Sequence, residues 1–165
     1  MIFSTFGLFK QRLLLTKFLD KISTDKTAVF WGKKHPKRRK LAHILRLPLL
    51  NLEDGFLRSV GLGVVGYPPY SIVYDDIGIY YDTTRPSRLE QLILAADTMP
   101  SETLAQAQQA MDFILRHHLS KYNHAPELSD DHPLRSPSKP ETVLIIDQTF
   151  GDMAIQYGSA DASAF

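Results

Sequence analysis

The pattern of a parallel β-α-β unit lies in residues 27–55, TAVFWGKKHPKRRKLAHILRLPLLNLEDG. Residues 27–32 form a short apolar run that ends at a glycine, which predicts a buried strand. Residues 36–45 predict a helix with a proline in its first turn, and residues 47–52 predict the next strand. Two short strands on either side of a basic helix favour an α/β fold that contains a parallel β-α-β unit.

Length and composition favour a small protein without a strong charge bias. The 165 residues are 44% hydrophobic and 10% aromatic, which is enough to bury one core. Lysine plus arginine number 19 and aspartate plus glutamate number 18, which argues against a nucleic-acid partner. The absence of cysteine excludes disulfides and thiolate metal sites. Because neither a secretory signal nor an apolar run near the roughly 20 residues of a membrane span is evident, we expect a cytoplasmic protein.

The middle of the chain predicts a loop followed by a hairpin. Residues 61–70 contain three glycines and a proline pair, which is typical of a loop. Residues 71–74 and 77–81 each resemble a strand, with Asp75 and Asp76 as the turn between them. The glycines match the GxGxxG pattern of dinucleotide-binding oxidoreductases, but that motif needs a helix directly after it, and the prolines oppose one.

Three further helices are predicted. Residues 9–22 have an apolar face and a basic face, which is the one hint of contact with a membrane surface. Ser87 is a candidate cap for a helix that runs to about residue 96, with Glu90 three residues later. Residues 101–119 repeat apolar side chains at helical spacing.

The chain divides into four predicted segments. These are a helical segment without assignment at 1–26, an α/β domain at 27–123, a proline-rich linker at 124–141 and the start of a second, incomplete α/β unit at 142–165. The last segment begins with a predicted strand at 142–146, followed by a loop. We therefore expect the chain to be the front part of a longer protein.

Carboxylates stand where two of the predicted strands end. Glu53 and Asp54 follow one strand, and Asp147 and Asp152 follow another. Because ligands of open α/β sheets bind beyond the carboxyl ends of the strands, the four predict one acidic site. Taken singly, each favours a helix cap or a turn over a site residue, and Asp147 does so most strongly. Arg58, four residues after Asp54, either pairs with that acid or binds an anionic substrate.

The remaining charged clusters favour no site. The basic run at residues 33–40 could bind phosphate or nucleic acid, but the balanced charge of the chain favours the solvated face of a helix. Six histidines are scattered, and the adjacent His117 and His118 point in different directions on a helix. The sequence therefore predicts no metal site and no nucleic-acid interface.

Five ordered motifs closely resemble those of the capsular-polysaccharide β-Kdo transferases of Gram-negative bacteria. They are EDGFLRSVGLG (53–63), PPYSIVYDDIGIYYD (68–82), RPSRLEQLI (85–93), LSKYN (119–123) and VLIIDQTFGDMAIQYG (143–158). The resemblance runs from about residue 29 to the end. It implies a cytoplasmic enzyme, peripheral on the inner membrane, that transfers β-linked Kdo from CMP-Kdo with retention of configuration. The acceptor is a lipid of the phosphatidylglycerol type or Kdo already attached to it, no cofactor is needed, and two Rossmann-like halves follow a GT-B-like plan.

The resemblance also implies roles for individual residues. Asp152 ends a Gln-x-x-x-Asp pattern that begins at Gln148, which makes Asp152 the candidate nucleophile and Gln148 a candidate substrate-binding residue. Glu53 is the candidate general acid/base, with Asp54 and Arg58 ordering it or holding the sugar acid. Retention at one site is most simply explained by two displacements, the first by a carboxylate and the second assisted by a general base.

The sequence departs from the family because full modules continue into further motifs of the second half. We therefore expect the isolated 165-residue chain to be inactive as a transferase. One alternative function is a non-catalytic component of capsule polysaccharide assembly or transport. Replacement of Asp152 by alanine in the complete protein separates the two, since only an enzyme loses transfer.

Overall fold

A computed structural model describes residues 1–10, 12–19, 26–132, 135 and 152–158. Four strands form one sheet in the order β1-β2-β3-β4: β1 Ile2–Phe3, β2 Ala28–Trp31, β3 Leu49–Asp54 and β4 Ile72–Asp75. The first three strands are parallel, and β4 is antiparallel to β3. The predicted α/β class is confirmed, and the sheet is mixed rather than wholly parallel.

The described residues also form six α-helices: α1 Phe6–Lys10, α2 Arg12–Leu19, α3 Pro36–Ile44, α4 Arg88–Leu94, α5 Ser101–Arg116 and α6 Met153–Tyr157. The described residues of the helix predicted for 9–22 are helical and belong to α1 and α2. Short 3-10 turns lie at Gly63–Val65 and Ala96–Thr98. No helix of the described part is long and apolar enough to cross a membrane.

The predicted β-α-β unit is confirmed as β2-α3-β3. Alternate side chains of its strands point to opposite faces of the sheet, so each face has its own apolar cluster. Val29, Leu50 and Leu52 pack with side chains of α1 and α2 on one face, and Ala28 and Phe30 pack against α3 on the other. Both faces of the sheet centre are therefore covered, which is why β2 consists of apolar residues alone.

Strand β1 was not predicted, since two residues carry no measurable periodicity. Ile2 pairs with Ala28 and Phe3 with Val29 at the edge of the sheet. The pairing is strengthened because the Ile2 amide donates to the Thr27 carbonyl at 2.8 Å. The first residues of the chain thus extend the sheet that the β-α-β unit begins.

The predicted hairpin around Asp75 and Asp76 is wrong. Strand β4 pairs with β3, and residues 77–81 form no strand. The buried Asp75 carboxylate accepts from the amides of Ile77 at 2.9 Å and Gly78 at 2.7 Å, and from the Arg88 amide at 2.9 Å. These amides are used by a side chain, so they cannot form the ladder of a hairpin.

Part of the predicted architecture lies outside the described residues. This holds for the strand at 142–146, for Asp147 and Gln148, and for most of the linker beyond residue 132.

Candidate functional site

An open cavity of about 490 Å³ lies at the carboxyl ends of β2 and β3, and we call it the carboxylate cavity. Its lining residues are Trp31, Lys34, Glu53, Asp54, Tyr80, Tyr81, Lys121, Tyr122, Asp152, Met153 and Ala154. Trp31 is the last residue of β2, and Glu53 and Asp54 are the last two of β3. Glu53, Asp54 and Asp152 therefore line one cavity, and the first two lie at the end of a strand.

Gly32, which directly follows β2, leaves space for the side chain of Glu53. Its φ of 56° is in the left-handed region, and a Cβ there would lie 2.5 Å from Glu53 Oε1 and 2.9 Å from the Tyr81 hydroxyl oxygen. The Tyr81 hydroxyl accepts from the Lys33 amide at 2.9 Å, which fixes the ring beside the turn. A glycine is required because the backbone must both turn and admit two side chains.

Burial gives Glu53 the properties of a proton acceptor. Burial raises the pKa of the Glu53 carboxyl, and the nearby negative charge of Asp54 acts in the same direction. A hydrogen bond from the Asp54 amide, 3.4 Å from Oε2, and the charges of Lys34 and Lys121 oppose that rise. The carboxylate is consequently a stronger base than a solvated glutamate, as general acid/base chemistry requires.

Asp152 caps α6 and also lines the cavity. Its Oδ1 accepts from the Ala154 amide at 2.8 Å, which satisfies one of the free amides of the helix start. The far end of α6 is held where the Tyr157 carbonyl accepts from the amide and the hydroxyl of Thr83, each at 3.0 Å. Asp152 therefore caps a helix and also lines a cavity, because the capping side chain is exposed and borders the same cavity as Glu53.

The guanidinium of Arg58 is bound by other groups of the protein. Its Nε lies 3.1 Å from Asp54 Oδ1, and its Nη1 donates to the Tyr67 carbonyl at 2.6 Å and to Ser59 Oγ at 2.8 Å. A Cβ at Gly63 would overlap Arg58 Nη2, so this glycine admits the guanidinium under the loop. Of the two alternatives for Arg58, the structure shows the ion pair with Asp54.

Sequence reasoning missed Lys121 and the tyrosines of the cavity. Lys121 reaches the site because its carbonyl accepts from the Arg58 amide at 3.0 Å and because Ser59 and Tyr122 form a parallel bridge. The LSKYN motif carried this signal, but no role was assigned to it. Burial raises the pKa of Tyr80, with further contributions from the negative charges of Glu53 and Asp152.

The glycine loop differs in structure from the GxGxxG motif of dinucleotide-binding proteins. Gly63–Val65 is a 3-10 turn, and the next regular element after Gly66 is β4, not a helix. The helix that the oxidoreductase alternative required is therefore absent from this described stretch.

Three cations of the basic run 33–40 hold the fold. Lys33 forms an ion pair with the buried Asp82, and Arg38 donates to the Ser4 carbonyl. Arg39 donates to the Gly32 carbonyl and, at 2.6 Å, to Asn51 Oδ1. The basic run was predicted to be a solvated helix face, but these three of its side chains form contacts within the protein.

Comparison with known proteins gives a consistent result. The family model described as "Capsule polysaccharide biosynthesis protein" matches residues 26–165. The chain is 84% identical over 139 residues to the capsule polysaccharide modification protein LipA of Neisseria meningitidis serogroup B, covering 83% of this chain and 20% of LipA. It is 40% identical over 141 residues to the lipopolysaccharide-processing protein LpsZ of Rhizobium meliloti, covering 83% of this chain and 31% of LpsZ.

Two solved structures share the fold. The KpsC β-Kdo 2,4-transferase of Thermosulfurimonas dismutans superposes with a TM-score of 0.82 and 38% identity, over 98% of this chain and 53% of that one. The KpsC β-Kdo 2,7-transferase of the same organism superposes with a TM-score of 0.57 and 25% identity, over 94% of this chain and 50% of that one. The chain thus spans about a fifth to a third of the curated relatives and about half of each solved transferase.

Proposed function

The chain belongs to the capsule polysaccharide biosynthesis protein family, and from that premise we propose that it is part of a retaining β-Kdo glycosyltransferase that uses CMP-Kdo. The observation that carries this proposal is the meeting of Glu53 and Asp152 in one cavity at the carboxyl edge of the sheet. Two carboxyl groups with different environments are what a double displacement needs. We take Kdo as the transferred sugar because the two similar solved structures are named as Kdo transferases.

In the first proposed step, an oxygen of Asp152 attacks the anomeric carbon of Kdo. The bond from that carbon to the phosphate oxygen breaks, CMP leaves with the electron pair, and a glycosyl ester forms on Asp152. The phosphate leaves as a stable anion, so this step needs little help from an acid. The hydrogen bond from the Ala154 amide to Asp152 Oδ1 holds the carboxylate in position.

In the second step, Glu53 accepts the proton of the acceptor hydroxyl as that oxygen attacks the anomeric carbon. The ester bond breaks and Asp152 is released as a carboxylate. The raised pKa of Glu53 suits it to this role. Arg58 orders Asp54 rather than binding sugar, and we assign the charge that meets the carboxylate of the donor Kdo to Lys121, which lines the cavity.

The remaining features of the proposal follow from the resemblance of the motifs. The acceptor is a lipid of the phosphatidylglycerol type or Kdo already attached to it, the enzyme works in the cytoplasm at the inner membrane, and Gln148 binds substrate. No cofactor takes part besides the donor. We further propose that transfer needs protein outside these 165 residues, as the coverage of about half of each solved transferase suggests.

The test is a chimera in which this chain replaces the matching 139-residue stretch of the meningococcal protein. Transfer of labelled Kdo from CMP-Kdo to a Kdo-bearing lipid is measured. We expect Asp152→Ala and Glu53→Gln each to lower the rate by at least about 1,000-fold, and the exposed Asp97→Ala to keep it.

Mass spectrometry supplies an independent readout. With CMP-Kdo and no acceptor, we expect one Kdo residue bound covalently to the peptide that contains Asp152. If Asp152→Ala transfers Kdo at the unmodified rate, the chain is not the source of the nucleophile and the scaffold alternative replaces the enzyme.

A further inference from the structure

We propose that a second cavity beside the carboxylate cavity binds an acidic acceptor sugar through Lys34 and Trp31. This Trp31 cavity has a volume of about 550 Å³, and it is lined by Thr5, Gly7, Leu8, Trp31, Lys34, His35, Asp54, Arg58, Gly63, Pro69 and Tyr122. The assignment of the sugar to the acceptor rests on the proposed function. The ligand class rests on the residues of the cavity.

The two cavities share one wall. Trp31, Lys34, Asp54 and Tyr122 line both, so the two cavities are adjacent. Asp152 lines the carboxylate cavity and is not part of the Trp31 cavity. A donor sugar that reacts with Asp152 must therefore occupy the carboxylate cavity, which leaves the Trp31 cavity for the acceptor.

Lys34 is the cation of this wall that remains available to a ligand. Two other cations of the same basic run bind groups of the protein, since Lys33 pairs with Asp82 and Arg39 donates to Asn51. The charge of Arg58 is matched by Asp54. Among the described residues, no carboxylate forms an ion pair with Lys34, which is exposed at the opening of both cavities. A carboxylate on the ligand would complete the pair.

Trp31 and Tyr122 give the same wall a flat apolar component. Both side chains are half-buried, so part of each ring is open to a ligand. Aromatic faces pack against the C–H groups of a sugar ring, while a phosphate-rich ligand needs several convergent N–H donors or cations. One available lysine beside two rings fits a sugar that carries a single carboxylate better than it fits a nucleotide.

The test uses the fact that Trp31 is the one tryptophan of the chain. Its fluorescence is titrated with free Kdo in the 165-residue protein, without donor or transfer. We expect a saturable change whose dissociation constant rises at least about tenfold in Lys34→Ala and for Kdo methyl ester, which lacks the charge. Lys37→Ala is the matched control, because Lys37 is also exposed on this basic stretch but lines neither cavity.

Each contrary result overturns the inference. These are no saturable response to Kdo, equal affinity for Kdo and its methyl ester, or wild-type affinity in Lys34→Ala with an unchanged circular dichroism spectrum. Tight binding of CMP that is also lost in Lys34→Ala would assign the cavity to the nucleotide. None of these outcomes bears on the transfer assay of the chimera, so failure of this inference and failure of the proposed function are distinguishable.

In an active chimera, the same substitution separates acceptor from donor. We expect Lys34→Ala to raise the KM for a Kdo acceptor about tenfold while the KM for CMP-Kdo changes less than about twofold. A rise in the KM for CMP-Kdo alone would place the donor in the Trp31 cavity and contradict the inference.

Discussion

Gly32 is a residue at which the backbone and the carboxylate cavity depend on each other. Alanine there has the strain of a positive φ and also meets Glu53 and Tyr81. Gly66 has a φ of 97°, and among the described residues no atom beyond its two chain neighbours lies within 4 Å of the position that a Cβ would occupy, so its replacement adds strain alone. We expect Gly66→Ala to lower the free energy of unfolding by about 1 kcal/mol and Gly32→Ala to lower it by more.

Urea denaturation of the two alanine variants checks this difference. Equal losses would mean that Glu53 and Tyr81 move aside without cost, and that Gly32 is needed only for its φ.

The burial of Glu53 predicts a pH-dependent stability. Because the folded pKa of this carboxyl is raised above the value near 4.5 of the unfolded chain, folding favours its protonated form. The stabilising contribution is complete below that unfolded value and is lost as the pH rises through the folded pKa. We therefore expect Glu53→Gln to be more stable than the parent at pH 8 and nearly equal to it at pH 4. Urea denaturation at both pH values provides the measurement, and a difference independent of pH would contradict the burial effect.

At the scale of elements, the start of α4 was predicted from two residues. The Ser87 hydroxyl accepts from the Glu90 amide at 3.1 Å, which confirms the predicted cap. We expect Ser87→Ala to lower the free energy of unfolding by about 1 kcal/mol. Ser101→Ala is the control, since Ser101 is exposed in the first turn of α5 and Pro100 is the cap residue there. Equal losses in thermal or urea denaturation would show that the hydroxyl of Ser87 does not stabilise α4.

At the scale of the whole molecule, the LSKYN segment fastens the end of α5 to the loop after β3. The Asn123 amide donates to the Val60 carbonyl at 2.8 Å, and the Asn123 side chain bonds both the amide and the carbonyl of Ser120 at 2.8 Å. This folds the segment so that the Lys121 carbonyl meets the Arg58 amide. The contact joins residues that are distant in the sequence and brings Lys121 to the carboxylate cavity.

We expect Asn123→Ala to loosen this junction without unfolding the sheet. The amide of Arg58 should exchange its hydrogen at least about tenfold faster, while the amide of Gly32, bonded to Leu52 inside the sheet, should keep its rate. His124→Ala is the control, because His124 is the exposed neighbour. Unchanged exchange at Arg58 in Asn123→Ala would show that the backbone bonds alone hold the segment.

The sequence by itself determined the β-α-β unit, the cap of α4 and the position of Glu53 and Asp54 at the end of a strand. These depend on local signals: an apolar run, a glycine or proline at an end, or the rule that parallel strands present their carboxyl ends at one edge. Such signals act within a few residues along the chain, so they are legible without knowledge of the fold.

Only the tertiary structure decided the pairing of β4, the state of Arg58 and the presence of Lys121 and the tyrosines in the site. Asp75 looked like a turn residue, but it binds the Arg88 amide 13 positions away. From the sequence, Arg58 could pair with Asp54 or bind a substrate, and its contacts with the loop at Gly63 and Tyr67 are visible only in the folded chain. In each case the deciding partner is distant in sequence, and the competition among hydrogen-bonding groups is settled only when the chain has folded.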